Sequence, residues 1–407
     1  MAEVEDVLLG VATAGYRIEG GVNGPGEPAN NWVRWERSGR SARAATGDFW
    51  TRPEPVLDRA AALGCDAFGL TVEWARLEPE EGVFDDAALE RYVAILDLCA
   101  ARGLAPIVTL HHATHPWWLG DEFWLTPGAP DRFAGHVARI APRLTAACRR
   151  WVTVDHPSTV ARRGWLVGAA PPGRRGAIAD AWAVVDNLLT AQVLADAAIR
   201  RAQPDAVIVT TTGAASPYEQ DRLLVDLLRA RSFGVDREDI DRWVDERRAG
   251  HDVASPPAGL GGLAVRRAVA AMSPFGSPAG PLRTRLRRPS PRRVLDAVYD
   301  GPSPAEPGPI GVDRADPSSL AAWCREQAVV DPKAPLWVFG HGAEPALAAS
   351  LAAAFDARSA GAPLRACLHR GTAWFTDAGA ADVDRSAEAY GRLLDDLRVN
   401  GPRRPAG

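Results

Sequence analysis

Lysine is all but missing from this chain of 407 residues: Lys333 is the single one, and arginine carries the rest of the positive charge. Together with abundant alanine, this bias reflects a GC-rich bacterial genome rather than a function. An excess of one sign of charge is lacking too. The formal net charge is −4 and the pI about 6.1, which leaves no electrostatic footprint for nucleic acid or for an anionic membrane surface. Cysteine is sparse. Cys65, Cys99, Cys148, Cys324 and Cys367 are odd in number and scattered through apolar contexts, which excludes a disulfide framework or a CxxC metal site and predicts reduced, buried thiols. No apolar run approaches the length of a membrane span. The opening Met1-Ala-Glu-Val-Glu-Asp6 has neither the basic region nor the apolar core of a signal peptide. A cytoplasmic protein that engages neither nucleic acid nor membrane is expected. There is no nucleophile elbow, P-loop or dinucleotide fingerprint, so no cofactor is expected.

What is present is alternation. With 46% hydrophobic residues the chain can bury a large core, and strand and helix patterns follow one another from end to end, the signature of a parallel α/β fold. Strands are predicted at 8–14, 67–72, 106–110, 151–154, 206–212, 310–313, 336–339 and 364–369. Helices are predicted at 53–63, 86–102, 131–149, 178–201, 222–229, 237–248, 344–358 and 384–399. A Gly/Pro/Asn-rich loop reaches Trp32 and Trp35, and a Pro/Gly loop runs through Pro171-Pro172-Gly173. The stretch from Pro217 to about Ser303 is the least regular. Its cluster Arg283, Arg285, Arg287, Arg288, Arg292 and Arg293 reads as a solvated connection. No linker divides the chain, so a single (β/α)8 barrel over 1–400 is expected, with 401–407 a disordered tail.

One segment ties this pattern to a known family. Trp151-Val-Thr-Val-Asp-His-Pro157 reads as a short buried strand closed by a polar pair and a proline, where a barrel carries its chemistry. It resembles Trp-x-Thr-Phe-Asn-Glu-Pro of family 1 glycoside hydrolases, the retaining β-glucosidase family. Colinear likenesses support it: Gly10-Val-Ala-Thr-Ala-Gly-Tyr-Arg-Ile-Glu-Gly20, Ala67-Phe-Gly-Leu-Thr-Val-Glu-Trp-Ala-Arg-Leu-Glu-Pro79, Glu81-Gly-Val-Phe84, Thr109-Leu-His-His-Ala-Thr-His-Pro116, Asn187-Leu-Leu189, Gly311-Val-Asp313 and Ala389-Tyr-Gly-Arg392. The resemblance implies the barrel. It does not by itself imply the activity, because activity lives in the site.

At the site the chain departs from the family pattern. The family's acid/base Glu corresponds to His156 and the Asn before it to Asp155. The nucleophile motif Thr-Glu-Asn-Gly corresponds to Phe339-Gly340-His341-Gly342, so both carboxylates of the retaining pair are replaced. The family's Arg that pairs with the nucleophile is Gly69. That fits, because a buried guanidinium without its carboxylate is costly. The family's Gln of the first strand is Arg17, its strand-six Tyr is Arg314, and its sugar-binding His is matched by His112. The loop after strand eight is shortened to Arg370-Gly-Thr-Ala-Trp374.

These replacements define the candidate site. His156 oriented by Asp155, with His341 across the mouth, forms a candidate acid/base set, since imidazole titrates near neutrality. Arg17 and Arg314 are candidates for an anionic group; ion pairing with Glu19, Asp155 or Asp313 is the competing reading. His111, His112, His369 and Trp374 complete the candidate ligand-binding set, and Trp117, Trp118, Trp124 and Trp165 are candidate stacking platforms. No metal is expected, since no HxH or HxxxH pair lies on a helix. Glu73 is expected to pair with Arg76 as scaffold. Three functions fit: a repurposed enzyme of bacterial specialised metabolism acting on an anionic or glycoside-like small molecule, a non-catalytic binding pseudoenzyme, and a β-glycosidase working by a non-standard route.

Overall fold

The computed structural model describes residues 7–20, 27–40, 47–212, 222–232, 234–241, 292–302, 308–313, 320–325, 335–340, 344–359, 362–370 and 381–400. Eight parallel strands close on themselves in sequence order. They are β1 (Leu8–Ala12), β2 (Ala67–Thr71), β3 (Ala105–Thr109), β4 (Arg150–Val152), β5 (Val207–Thr212), β6 (Ile310–Asp313), β7 (Leu336–Gly340) and β8 (Leu364–Arg370). Closure is made by β1 against β8, with Leu8 opposite Ala366 and Ala12 opposite Arg370. All eight expected strands form, with ends displaced by a residue or two.

Two apolar layers hold the barrel. Inside it, Ala67, Ile107, Val152, Val209, Trp337, Ala366 and Leu368 pack together, with Leu8, Ala12, Ala105 and Val207 at their edge. These come from alternate strand positions, as the period of two requires. The inner layer mixes one indole with several small residues. Gly10 is the clearest case of close approach: a Cβ there would stand 2.2 Å from the Ala67 carbonyl oxygen, so β1 and β2 can pair at this point only with glycine. The outer layer lies between strands and helices and holds most of the buried Leu, Ile, Val and aromatic side chains.

The helices are α1 (Glu54–Ala62), α2 (Asp86–Ala101), α3 (Ala129–Leu144), α4 (Ile178–Ala202), α5 (Arg222–Ser232), α6 (Arg292–Tyr299), α7 (Glu344–Ser359) and α8 (Ala381–Asn400). Their limits follow local chemistry. Asp85 caps α2 by accepting from the Ala88 N–H at 2.9 Å, and Gly103, at φ 73°, turns the chain out of it. α3 stops at Leu144, five residues short of the expected end, and Thr145–Arg149 leads into β4.

α4 organises the wall beside the site. Its Gln192 donates to the Val154 carbonyl at 2.9 Å, and Asn187 donates to the Trp124 carbonyl at 2.8 Å. Its Asp186 accepts from the Arg293 and Val294 N–H groups at 3.3 and 3.0 Å, capping α6 from 107 positions away. Arg293 also donates to Asn187 Oδ1 at 2.7 Å. The basic cluster therefore ends in an ordered helix start, where a solvated connection was expected; Arg283 to Arg288 lie outside the described residues. Burial pushes Asp186 up to about 6, its two backbone donors and Arg293 notwithstanding.

Other expectations need correction. The Gly/Pro/Asn-rich loop contains a helix at Asn31–Arg37, because Asn30 caps it by accepting from Trp32 and Val33. The segment after β4 is helical rather than a loop, α-helix at Pro157–Ala161 and π-helix at Arg162–Val167. Contrary to the reading that no apolar run approaches a membrane span, α4 is long and apolar enough to cross one, though 72% of its most apolar window is buried inside the fold. Of the predicted helix 237–248, residues 237–241 are helical and the rest lies outside the described residues, as does 401–407. All five cysteines are buried free thiols, and burial pushes Cys99 and Cys148 up to about 12.

Candidate active site at the barrel mouth

The site is assembled where β3 and β4 end. Their pairing continues past the strands: the Leu110 N–H donates to the Val152 carbonyl and the Asp155 N–H donates to the His111 carbonyl, both at 2.9 Å. This brings His111-His112 alongside Asp155-His156. Two left-handed residues then turn the chain. Ala113 sits at φ 63°, its carbonyl accepting from Asn31 Nδ2 at 3.2 Å and from the Trp32 indole at 3.1 Å. His156 sits at φ 48°, ψ 60° immediately before the Pro157–Ala161 helix. A left-handed backbone costs a non-glycine residue about 1–2 kcal/mol, so something must hold it. The hold comes from β5: the His156 N–H donates to Thr211 Oγ1 at 2.9 Å, and the Thr211 hydroxyl donates to the Val154 carbonyl at 3.2 Å.

Asp155 is 3% exposed and lies between two imidazoles. His156 Nε2 is 3.5 Å from one of its carboxylate oxygens and His112 Nε2 is 3.6 Å from the other. These are ion-pair distances, slightly too long for hydrogen bonds. The three side chains line a cavity of about 100 Å³, with Trp32, Trp124, Trp165, His115 and Arg163 among its walls. Asp155 is the one carboxylate among its described lining residues. Arg163 is held down by partial burial, with the positive charges of Arg162 and Arg17 adding to the effect.

The remaining sequence candidates divide. His111 is buried beneath the cavity, its Nε2 accepting from the Trp124 indole at 3.2 Å; burial pushes it down to about 3, so it is a neutral structural acceptor at neutral pH. His369 is buried at the end of β8, 5.5 Å from the Tyr390 ring, and is not among the lining residues. Arg17 is exposed on the turn after β1 and has no carboxylate partner among the described residues; Glu19 is taken by Arg76 at 3.0 Å instead. Trp124 and Trp165 line the cavity, whereas Trp118 is tied to the Glu78 carbonyl at 2.8 Å and Trp117 lies 4.6 Å from the Arg34 guanidinium. His341, Arg314 and Trp374 lie outside the described residues. Among the described residues no cluster of His, Cys, Asp and Glu is placed to hold a metal ion.

Beside the cavity lies a buried scaffold network that differs from expectation. Glu73 accepts from the Thr114 hydroxyl at 2.9 Å, while Arg76 serves Glu19 and, at 3.3 Å, Glu27. Tyr92 donates to Glu19, and burial pushes that carboxyl up to about 7 against the pull of Arg76. Sequence reasoning missed Thr211 and Arg163. Thr211 stands in a β-branched strand with no pattern to mark it, and Arg163 was hidden in a segment read as loop.

Ionisable groups gathered past the C-terminal ends of the strands of a closed parallel barrel lie on the face where this fold carries its sites. The glycosyl hydrolase family 1 model matches residues 4–236, more than half of the chain, and the protein belongs to that family. Among curated relatives, it is 30% identical to Beta-glucosidase A of Thermotoga maritima over 211 residues, 50% of this chain and 47% of that protein. It is 29% identical to Beta-glucosidase 6 of Oryza sativa subsp. japonica over 178 residues, 42% of this chain and 34% of that protein. With the 6-phospho-beta-galactosidase of Clostridium acetobutylicum it shares 27% identity over 190 residues, 46% and 40% of the two chains. The matched stretch thus spans less than half the length of each of these relatives. The fold likeness extends further. The β-glucosidase of Thermotoga maritima in complex with glucoimidazole superposes with a TM-score of 0.67 at 19% identity, over 91% of this chain and 88% of that one. The AHE enzyme from Alicyclobacillus herbarius gives 0.66 at 22%, over 91% and 89%.

Proposed function

We propose that this family 1 barrel has exchanged retaining glycosidase chemistry for imidazole-based acid/base chemistry on a small, sugar-like or anionic molecule. The observation that carries the proposal is the placement of Asp155 between His156 and His112 on the cavity wall. A retaining mechanism needs two carboxyl groups roughly 5 Å apart, and the described lining residues offer one. That one is so buried that its natural role is to orient and stabilise a protonated imidazole, as a carboxylate does for a catalytic histidine. His156 is the proton-transfer group, Asp155 its orienting partner and His112 a ligand-binding neighbour. His341 is proposed as the group across the mouth, with Arg314 and Trp374 on the ligand side. The relatives' names, β-glucosidases and a 6-phospho-β-galactosidase, support a glycoside-like ligand. The arginine- and alanine-rich composition supports a bacterial biosynthetic role, and five buried free thiols support a cytoplasmic setting.

The test is turnover of a panel of aryl β-glycosides with neutral, 6-phosphorylated and uronic acid sugars. Loss of a positioned acid/base group costs roughly 10²–10⁴-fold in rate. His156→Ala and Asp155→Asn should each fall in that range on any glycoside the native protein cleaves. Native rates retained in both variants would overturn the proposal. A second reading, a binding protein without catalysis, is favoured by one observation: both imidazoles stand beyond hydrogen-bond distance from Asp155. Saturable sugar binding without turnover across the panel would select it.

A further inference from the structure

Several arginines are neutralised by carboxylates. Arg34 pairs with Asp121 at 3.6 Å, Arg174 donates to Glu122 at 2.6 Å and Arg132 pairs with Glu81 at 3.0 Å. Three are not. Arg17, on the turn after β1, and Arg162 and Arg163, at the start of the π-helix after β4, have no carboxylate partner among the described residues. They are also close enough for Arg17 and Arg162 to act on Arg163 as like charges. Positive charge accumulated beside Arg163 favours an anion there. Only Arg163 lines the cavity, and it shares that lining with Asp155, His112 and His156. Asp155 is already placed between its two imidazoles, so it does not neutralise the arginines.

We infer that the lip of the cavity is an oxyanion site, in which Arg163, flanked by Arg17 and Arg162, takes the carboxylate or phosphate end of the ligand while its other end reaches Asp155 and His156. Guanidinium forks match the geometry of either group, and Arg163 is exposed at the edge of the cavity, where an incoming anion can reach it. Arg163 and His156 line the same cavity of about 100 Å³, which places both within one small ligand-sized space. The π-helix contributes by position: it carries Arg162 and Arg163 on consecutive residues, one short helix (Pro157–Ala161) beyond the turn that sets His156. This inference rests on the proposed function for the location of the reacting end, but not for the anion itself.

Calorimetric titration with inorganic phosphate and, separately, with gluconate tests it, ionic strength being held constant with sodium chloride. Saturable binding of at least one anion is expected. Arg163→Gln should weaken it at least tenfold and Arg163→Lys by less, since lysine keeps the charge and loses the fork. Arg139→Gln removes the same charge from an exposed pair with Asp86 and should leave binding unchanged. The tighter of the two anions identifies the ligand end as phosphoryl or carboxyl. Absence of saturable binding for both anions, or equal weakening by Arg163→Gln and Arg139→Gln, overturns the inference. Neither result bears on His156, whose role is judged by turnover alone.

Discussion

Replacing Thr211 by valine isolates the contact that holds His156 in its left-handed conformation. Thr211 is fully buried, and valine matches its shape, so the change removes a hydroxyl and little else. Two partners are affected unequally. The Val154 carbonyl loses the Thr211 donor but keeps Gln192 at 2.9 Å. The His156 N–H loses its acceptor at 2.9 Å. An orphaned buried donor costs about 1–3 kcal/mol, so Thr211→Val should destabilise by about 2 kcal/mol. At roughly 2 cal/mol/K of unfolding entropy per residue, that lowers the melting temperature of a 407-residue chain by only about 2 °C. The urea midpoint at constant m is therefore the better assay. Thr211→Ser keeps the hydroxyl and loses one methyl, worth about 1 kcal/mol. The polar argument requires valine to be the worse substitution. Packing alone would rank them the other way, since only serine leaves a void. If the serine variant unfolds at lower urea than the valine variant, the account of how His156 is held is refuted.

The remaining predictions concern protonation and capping. His111, His115 and His136 are buried and pushed down to about 3, 4 and 3. Each then binds fewer protons folded than unfolded between those values and the ordinary 6.5, so the stability they contribute is full above about pH 6.5 and lost on acidification. Their imidazole resonances should stay unshifted from pH 8 to 5 in the folded protein; movement of His111 in that window contradicts its assigned role. Glu19 has the opposite sign. Pushed up to about 7, it holds its proton longer when folded, so its contribution declines as pH rises from about 4.5 through 7. Glu19→Gln should flatten that decline in a pH series of urea midpoints, and an unchanged slope counts against it. Asp186→Ala should cost about 1–2 kcal/mol through the lost cap of α6, and Asp186→Asn less, because asparagine keeps one of the two accepting oxygens. Equal losses would mean that the charge of Asp186, not its capping oxygen, holds α6.

How much of this was legible beforehand depended on the range of the forces involved. The eight strands, the long helices and their order are carried by hydrophobic periodicity and by cap residues such as Asp85 and Gly103, which act over a few positions and so are written locally. Asp155-His156 stood out for the same reason, as a polar pair closing a buried run before proline. The elements misread as loop, Asn31–Arg37 and Pro157–Val167, are short helices whose start depends on a single cap or turn rather than on a repeating apolar face. Only closure of the barrel could decide the rest. It brings Thr211 of β5 under the His156 N–H and sets His112 on the far side of Asp155. It also sends Arg76 to Glu19 instead of Glu73. Pairings between residues dozens to more than a hundred positions apart are selected by geometry that no local pattern encodes, and such pairings set the surroundings in which the adjacent pair Asp155-His156 stands.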